Sequence, residues 1–294
     1  MTPKPKLWRN KTVTIIAGFN FDRGIVLCAD TKHTAAMKLD ASKIFTKHYT
    51  ICDPEFRTKA RSAIAYAGPM RYARMAIRKI EDKIDALENP TIAGMTTEIE
   101  SVLRDIHENQ LYKHPDWRIG TLNLGLLIGL WSEVEQSLQM FTSEDTALMS
   151  APGYDCLGSG DYLAHYLIRD RYEGHLMPLA DILLLAINML TSIKSYDDGC
   201  GGRSDFQIMT TDGEVKSYAF GMDISVREKF GNSFDLATRG LFSDLWHAKD
   251  AAEVAEKLAE FSEEMEGILK ERDEQREFSN SVIRQLFGEE YIMP

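Results

Sequence analysis

The chain has 294 residues, with 34 Lys+Arg against 45 Asp+Glu, a formal net charge of −11 and 44% hydrophobic residues. That length suits one large domain or one domain with an appendage, and the apolar content excludes a disordered chain. The acidic balance excludes a nucleic-acid binder that works by neutralising phosphates.

The longest apolar stretches, Leu122–Trp131 and Ile182–Leu190, fall short of the roughly 20 residues that a bilayer span needs, so no membrane partner is expected. The leading MTPKPKLWRNK is basic with no signal-type apolar segment behind it, and the expected location is cytoplasmic. Cys28, Cys52, Cys156 and Cys200 form no CxxC pair and, like the scattered histidines, show no metal-ligand spacing. No metal or cofactor is expected.

In chain order, residues 12–19 are an apolar, β-branched run, Asn20–Gly24 a turn, and Ile25–Ala29 a second run, which together predict a β-hairpin. A second pair of strands is expected over Ile44–Ile51 and Ala63–Ala67, ending at Gly68-Pro69. Both faces of these strands are apolar, as in a sheet covered on both sides. Met70, Ala73, Ile77, Ile80, Ile84 and Leu87 then recur at helical steps, and a second helix is expected from about Thr96 with Ile99, Val102, Leu103 and Ile106 as its stripe.

Strands return at Leu122–Trp131 and Gln136–Thr142, helices at Tyr162–Tyr172 and Leu179–Ser195, and a closing hairpin at Phe206–Thr211 and Val215–Ala219. Blocks of strands and helices in this order predict an α+β fold, two sheets sandwiched between helix layers, and not a βαβ repeat. After residue 222 the chain becomes charged, and Val254, Leu258, Phe261, Met265 and Ile268 predict a helix with a narrow apolar seam over Lys249–Gln275. That seam packs on its own domain or receives a partner subunit; two heptads do not specify a coiled coil.

GxSxG, P-loop and GxGxxG motifs are absent. One constellation stands out. Thr14 begins the first strand, Asp30 ends the second and Lys43 precedes the third, so all three can meet at one end of the hairpins. A Thr hydroxyl is a weak nucleophile that its own free α-amine can activate, with Lys and Asp setting the local field. Spacing alone favours the plainer reading, a surface salt bridge beside a core threonine.

Several segments carry a resemblance. Thr14 with Gly18, then Gly24–Asp30 (GIVLCAD), Ser42–Phe45 (SKIF), Ala65–Gly68 (AYAG), Gly158-Ser159-Gly160 and Asp197–Gly201 (DDGCG) follow one another in the order found in proteasome β-type subunits. The chain resembles these and the HslV-like peptidases of the N-terminal-nucleophile hydrolase superfamily from about residue 12 to residue 220. The resemblance implies a four-layer αββα sandwich with a mostly helical C-terminal extension: 1–13 as an N-terminal extension or propeptide, 14–221 as the hydrolase domain, and 222–294 as the extension.

It also implies the roles. Thr14 Oγ attacks a peptide carbonyl, Lys43 stabilises the alkoxide, Asp30 holds Lys43, and the Gly68 amide donates to the oxyanion. Ser159, Asp197 and Cys200 position the amine. Thr34 pairs with substrate backbone, and His33, Tyr66 and Met70 line the first specificity pocket. The expected partners are peptide or unfolded-protein substrate, further copies in a homo-oligomeric ring, and an ATP-dependent unfoldase.

Three features depart from the family pattern. Thirteen residues precede Thr14, the last being Val13 where active subunits usually carry Gly. Cys200 stands in place of the accessory Ser, and residues 222–294 follow the family core. Thr12 is the alternative nucleophile if the hairpin turn is counted two residues longer. A threonine peptidase, a non-catalytic subunit that assembles without exposing its Thr, and a small-amide hydrolase on the same fold are the three expectations.

Overall fold

The computed structural model describes residues 14–34, 38–50, 58–115, 123–217 and 247–287, with residues 237, 240, 241, 244 and 245. The expected leading segment with Thr12 and Val13 lies outside these residues, as does Cys52. The described chain divides into two compact units, one running up to Met177 and resuming from Ile193, the other comprising Pro178–Ser192 and the residues beyond 219.

The first unit is built on two antiparallel sheets. One has the order β10-β1-β2-β11-β12, the other β5-β6-β7-β8-β9, and β3 with β4 forms a separate ribbon. In the first sheet β1 (Ile15–Phe21) and β2 (Gly24–Asp30) form the expected hairpin around Asp22-Arg23. β2 is buried at every position because β1 and β11 (Ser204–Thr210) flank it and both its faces are covered. β12 (Val215–Ser217) closes the hairpin with β11, and β10 (Tyr154–Gly158) pairs with the outer side of β1.

The second sheet starts at its edge with β5 (Ile44–Thr50), whose burial alternates between its two faces. It continues through β6 (Thr58–Ala67), β7 (Gly125–Ser132), β8 (Ser137–Glu144) and β9 (Ala147–Ser150).

Ile16, Ile25 and Leu27 from the first sheet meet Ala63, Ala65, Leu127 and Trp131 from the second in a buried inter-sheet core. On the second sheet's other face α1 (Met70–Asp85) and α2 (Ile92–Ile106) bury Ile77, Ile80, Ile99 and Leu103 against Ile64, Leu126 and Ile128. α3 (Asp161–Ile168) packs on β10 and β1. The layering is therefore the expected αββα sandwich.

Local differences from the sequence reading have physical causes. α2 begins at Ile92, before the expected Thr96, because the Thr91 hydroxyl accepts the Gly94 N–H at 3.1 Å and caps the helix ahead of its apolar stripe. It then runs into a π-helical turn, His107–Leu111, where the 3.6-residue period is lost. The four unexpected strands are β3 (Lys32–Thr34), β4 (Lys38–Asp40), β9 and β10. All four are short: β3 and β4 pair with each other, β9 pairs with the preceding β8, and β10 owes its conformation to a distant ladder partner, as in Ala17↔Cys156.

α4 (Leu179–Tyr196) spans both units of the chain. Its mean hydropathy of 1.3 over 18 residues makes it long and apolar enough to cross a membrane, which corrects the expectation that every apolar stretch is too short. Thr191 and Ser192 ended the apolar run in the sequence but do not end the helix. With 56% of that window buried inside the protein, it has the character of a core helix.

In the second unit α5 (Ala251–Phe287) extends the expected C-terminal helix. Asp250 caps it by accepting the Ala252 and Glu253 N–H groups, both at 2.9 Å. Along the seam, Ile268 is buried while Leu258 is 45% exposed.

Leu127 lies at 0% exposure between the sheets. Leu127→Ala is expected to remove about 2–5 kcal/mol of stability in urea unfolding with an unchanged denaturant slope; a loss below about 1 kcal/mol would show that the inter-sheet packing is not as tight as described.

Candidate active site

The site forms where β1 begins, β2 ends and β5 begins. Thr14 immediately precedes β1 and is 4% exposed. Asp30 is the last residue of β2 and is fully buried. Lys43 precedes β5, and its side chain is 3% exposed.

The hairpin register brings Asp30 beside Thr14, whose hydroxyl donates to Asp30 Oδ1 at 2.8 Å. Lys43 Nζ donates to the same oxygen at 2.6 Å and also to Thr14 Oγ1. The Ile15 N–H reaches Asp30 Oδ1 at 3.0 Å, and the Gly201 N–H reaches Oδ2 at 3.0 Å. A buried carboxylate persists only if its charge is met by donors, and this one has an ammonium, a hydroxyl and two amides. The expectation that Thr14, Asp30 and Lys43 converge holds, and the alternative of a surface salt bridge does not.

A second cluster adjoins it. Gly158 pairs with Ile15, has φ +120°, and a Cβ on it would sit 2.1 Å from Thr14 O. That contact brings the β10 backbone against Thr14, with Ser159 the next residue in the chain. Ser159 Oγ donates to Asp197 Oδ2 at 3.0 Å, and Asp197 Oδ1 accepts the Gly199 N–H at 3.0 Å. Cys200 Sγ lies 3.8 Å from Asp197 Oδ2, a weak contact compared with that of a hydroxyl.

Burial pushes the Cys200 thiol up to about 12, with the charges of Asp30 and Asp197 adding to the effect and Lys43 and Ser159 opposing it. The thiol therefore stays neutral near pH 7. Since Cys200 senses both Asp30 and Lys43, the two clusters share one electrostatic environment.

Gly68 follows β6 at φ +126°, where a Cβ would sit 2.3 Å from Asn123 O. The Tyr66 N–H donates to Lys43 O at 3.2 Å, so Gly68 lies two residues past the rung that carries Lys43. His33 and Thr34 lie on β3, opposite Leu39 and Lys38 of β4; their side chains lie outside the described residues. Tyr66 is 1% exposed within the core beneath α1, and burial raises its hydroxyl to about 12. Met70, at the start of α1, packs half-buried at the edge of the same core.

Sequence reasoning missed the contacts of two contributors. Gly201, matched only as part of a motif, acts through its amide. Lys32 donates to the carbonyls of Asp198 and Cys200, partners more than 160 residues away in the chain. Among the described residues no cluster of His, Cys, Asp and Glu suits a metal ion.

A family model described as "Proteasome subunit" matches residues 10–209. A search of curated proteins finds no match. Among solved structures, the Anbu (Gly-1) mutant from Hyphomicrobium sp. strain MC1 superposes with a TM-score of 0.60 at 16% identity, covering 81% of this chain and 98% of that one. Anbu (ancestral beta-subunit) from Yersinia bercovieri gives 0.60 at 14% identity, covering 81% and 99%. The helical assembly of the Anbu complex from Pseudomonas aeruginosa gives 0.60 at 14%, covering 77% and 96%. At these identities the likeness establishes the fold.

Lys43→Met leaves the Asp30 charge buried without its cation and is expected to destabilise the protein by about 3–5 kcal/mol in chemical unfolding; a loss under about 1 kcal/mol would mean the pair is not desolvated. For Cys200, a value near 12 leaves a thiolate fraction of about 10⁻⁴ at pH 8, so iodoacetamide should label this cysteine only after denaturation. Labelling of Cys200 in the native protein at pH 8 would contradict its burial.

Proposed function

The chain belongs to the proteasome subunit family, and from that premise we propose that it is a threonine-type peptidase subunit with Thr14 as its N-terminal nucleophile after removal of residues 1–13. The observation that carries this reading is the Thr14 hydroxyl held between the Lys43 ammonium and the Asp30 carboxylate in a buried site. A cation at that place lowers the cost of forming an alkoxide, or the oxyanion-like charge that follows attack.

Asp30 is a poor base for the hydroxyl proton because its oxygens are already committed to an ammonium and two amides. Cleavage of the Val13–Thr14 peptide bond supplies the missing base, the free α-amine of Thr14. Ser159, next in the chain after the Gly158 that contacts Thr14, and its hydrogen-bond partner Asp197 orient that amine and pass protons to and from it. Gly68 supplies the oxyanion amide, Thr34 lies on a strand that can pair with an extended peptide, and His33 and Met70 flank the first specificity pocket. The substrate is an unfolded polypeptide or peptide.

Assembly is part of the proposal. The Pseudomonas aeruginosa relative is described as a helical assembly, and we extend self-association to this chain as a ring or stack of copies, with an ATP-dependent unfoldase as the supplier of substrate in the cytoplasm. A second reading, a non-catalytic assembling subunit, draws on Val13 and on Cys200, both at positions where catalytic subunits carry a different residue.

Intact mass separates the two. The peptidase predicts loss of residues 1–13, retention of full length in Thr14→Ala, turnover of a fluorogenic peptide by wild type only, and a light-scattering mass several times the 33.3 kDa of one chain. A persistent full-length mass with no turnover establishes the non-catalytic reading, and a monomer removes the assembly. Cys200→Ser replaces a weak donor with a stronger one toward Asp197 and is expected to raise kcat by about 2–10-fold; an unchanged or lower kcat would show that this position does not help orient the amine.

A further inference from the structure

Asp30 belongs to the first sheet and Thr14 leads into it, whereas Lys43 leads into β5 of the second. The reactive arrangement is thus completed across the gap between sheets, and any slip of one sheet on the other passes directly to the distance between Lys43 Nζ and Thr14 Oγ1. The residue before Lys43 carries a tie across that same gap. Ser42 Oγ accepts the Ile44 N–H at 3.1 Å, and its proton has two acceptors, Ile44 O at 3.0 Å and the Asp205 carboxylate. The charged acceptor makes the stronger bond.

Asp205 lies on β11 in the first sheet, directly opposite Ala29 and one residue along from Ser204, which pairs with Asp30. Directly paired residues share a face, and Ala29 belongs to the inter-sheet core, so Asp205 points toward the second sheet. The Ala41 N–H bond to Thr31 O at 3.1 Å secures the other side of the same three-residue loop.

We infer that Asp205 and Ser42 are positioning residues for Lys43: the pair pins the start of β5 to β11 and fixes the register at which the ammonium crosses to Thr14. This inference rests on the proposed peptidase chemistry, and it adds residues that do not touch the reacting atoms. Ser42 is exposed and Asp205 half-buried, so the bond adds little to global stability and works by fixing geometry.

The test compares Asp205→Ala, Ser42→Ala, the double variant and Ser42→Thr in the processed, assembled protein. A misplaced catalytic group is costly, and each single variant should lose about 10-fold in kcat with KM within about twofold of wild type. The double variant should lose no more than either single one, because both remove the same bond. Ser42→Thr keeps the hydroxyl and should stay within about twofold of wild type. Singles within about twofold of wild type, or losses that multiply in the double variant, overturn the inference.

A second readout needs no turnover. In protein labelled with ¹³Cε-lysine, the Lys43 resonance, assigned by its absence in Lys43→Arg, should move by the same amount in Asp205→Ala and Ser42→Ala and stay in place in Ser42→Thr. An unmoved resonance overturns the inference even if the wild-type chain proves inactive. Wild-type inactivity with a moved resonance overturns the peptidase reading alone.

Discussion

The contact between Lys43 and Asp30 is the constraint that organises the first unit, because it places two opposite charges inside a protein and in two different sheets. Removing each ion from water costs several kcal/mol, and the return depends on geometry and on every remaining lone pair being met. Here the carboxylate is met from β1, from the loop ahead of β5 and from the turn ahead of β11. Such a pair is seldom retained for stability alone, since well-packed apolar residues would do as well. The hydroxyl lodged against both charges gives it a chemical purpose.

The rest of the fold follows from the need to hold those three elements still. β2 has to end inside the protein for Asp30 to be dry, so the strand is buried throughout and flanked on both sides. β1 has to start against β10 with almost no clearance, which is why Gly158 sits at positive φ with its Cα facing the Thr14 carbonyl. The α1 and α2 layer stiffens the second sheet from behind, so that the β5–β6 rung carrying Lys43 and leading to Gly68 has a fixed support. Rigid strands set such positions more narrowly than loops do.

Much of this was legible in the sequence, for reasons that differ by residue. Strongly periodic segments such as 70–85 announced their helix, and the β-branched runs around Asp22-Arg23 announced the central hairpin. Thr14, Asp30 and Lys43 were legible because each sits at the end of such a segment, and a motif series in chain order raised them above coincidence. β3, β4, β9 and β10 were not, since strands of three to five residues carry too little pattern, and β10 in addition owes its form to a partner far along the chain. Asp205 was invisible because its partner is distant: nothing near it in the sequence marks a bond to Ser42. Tyr66 was legible only as part of a motif, and the structure adds that it is buried in the core beneath α1.

On the proposed chemistry, position and reactivity come from different events. The hydroxyl, the ammonium and the carboxylate are brought together by sheet pairing and inter-sheet packing, both of which are in place in the folded chain. The base comes from a peptide bond being cut, a covalent event that folding does not supply. A subunit built this way can fold and associate with its nucleophile already in place yet without a proton acceptor, so hydrolysis starts only where cleavage has occurred. Cys200 fits that division of labour. A neutral thiol beside Asp197 leaves the Thr14, Lys43 and Asp30 geometry untouched and weakens only the group that would orient the new amine, so its effect is confined to the processed form of the chain.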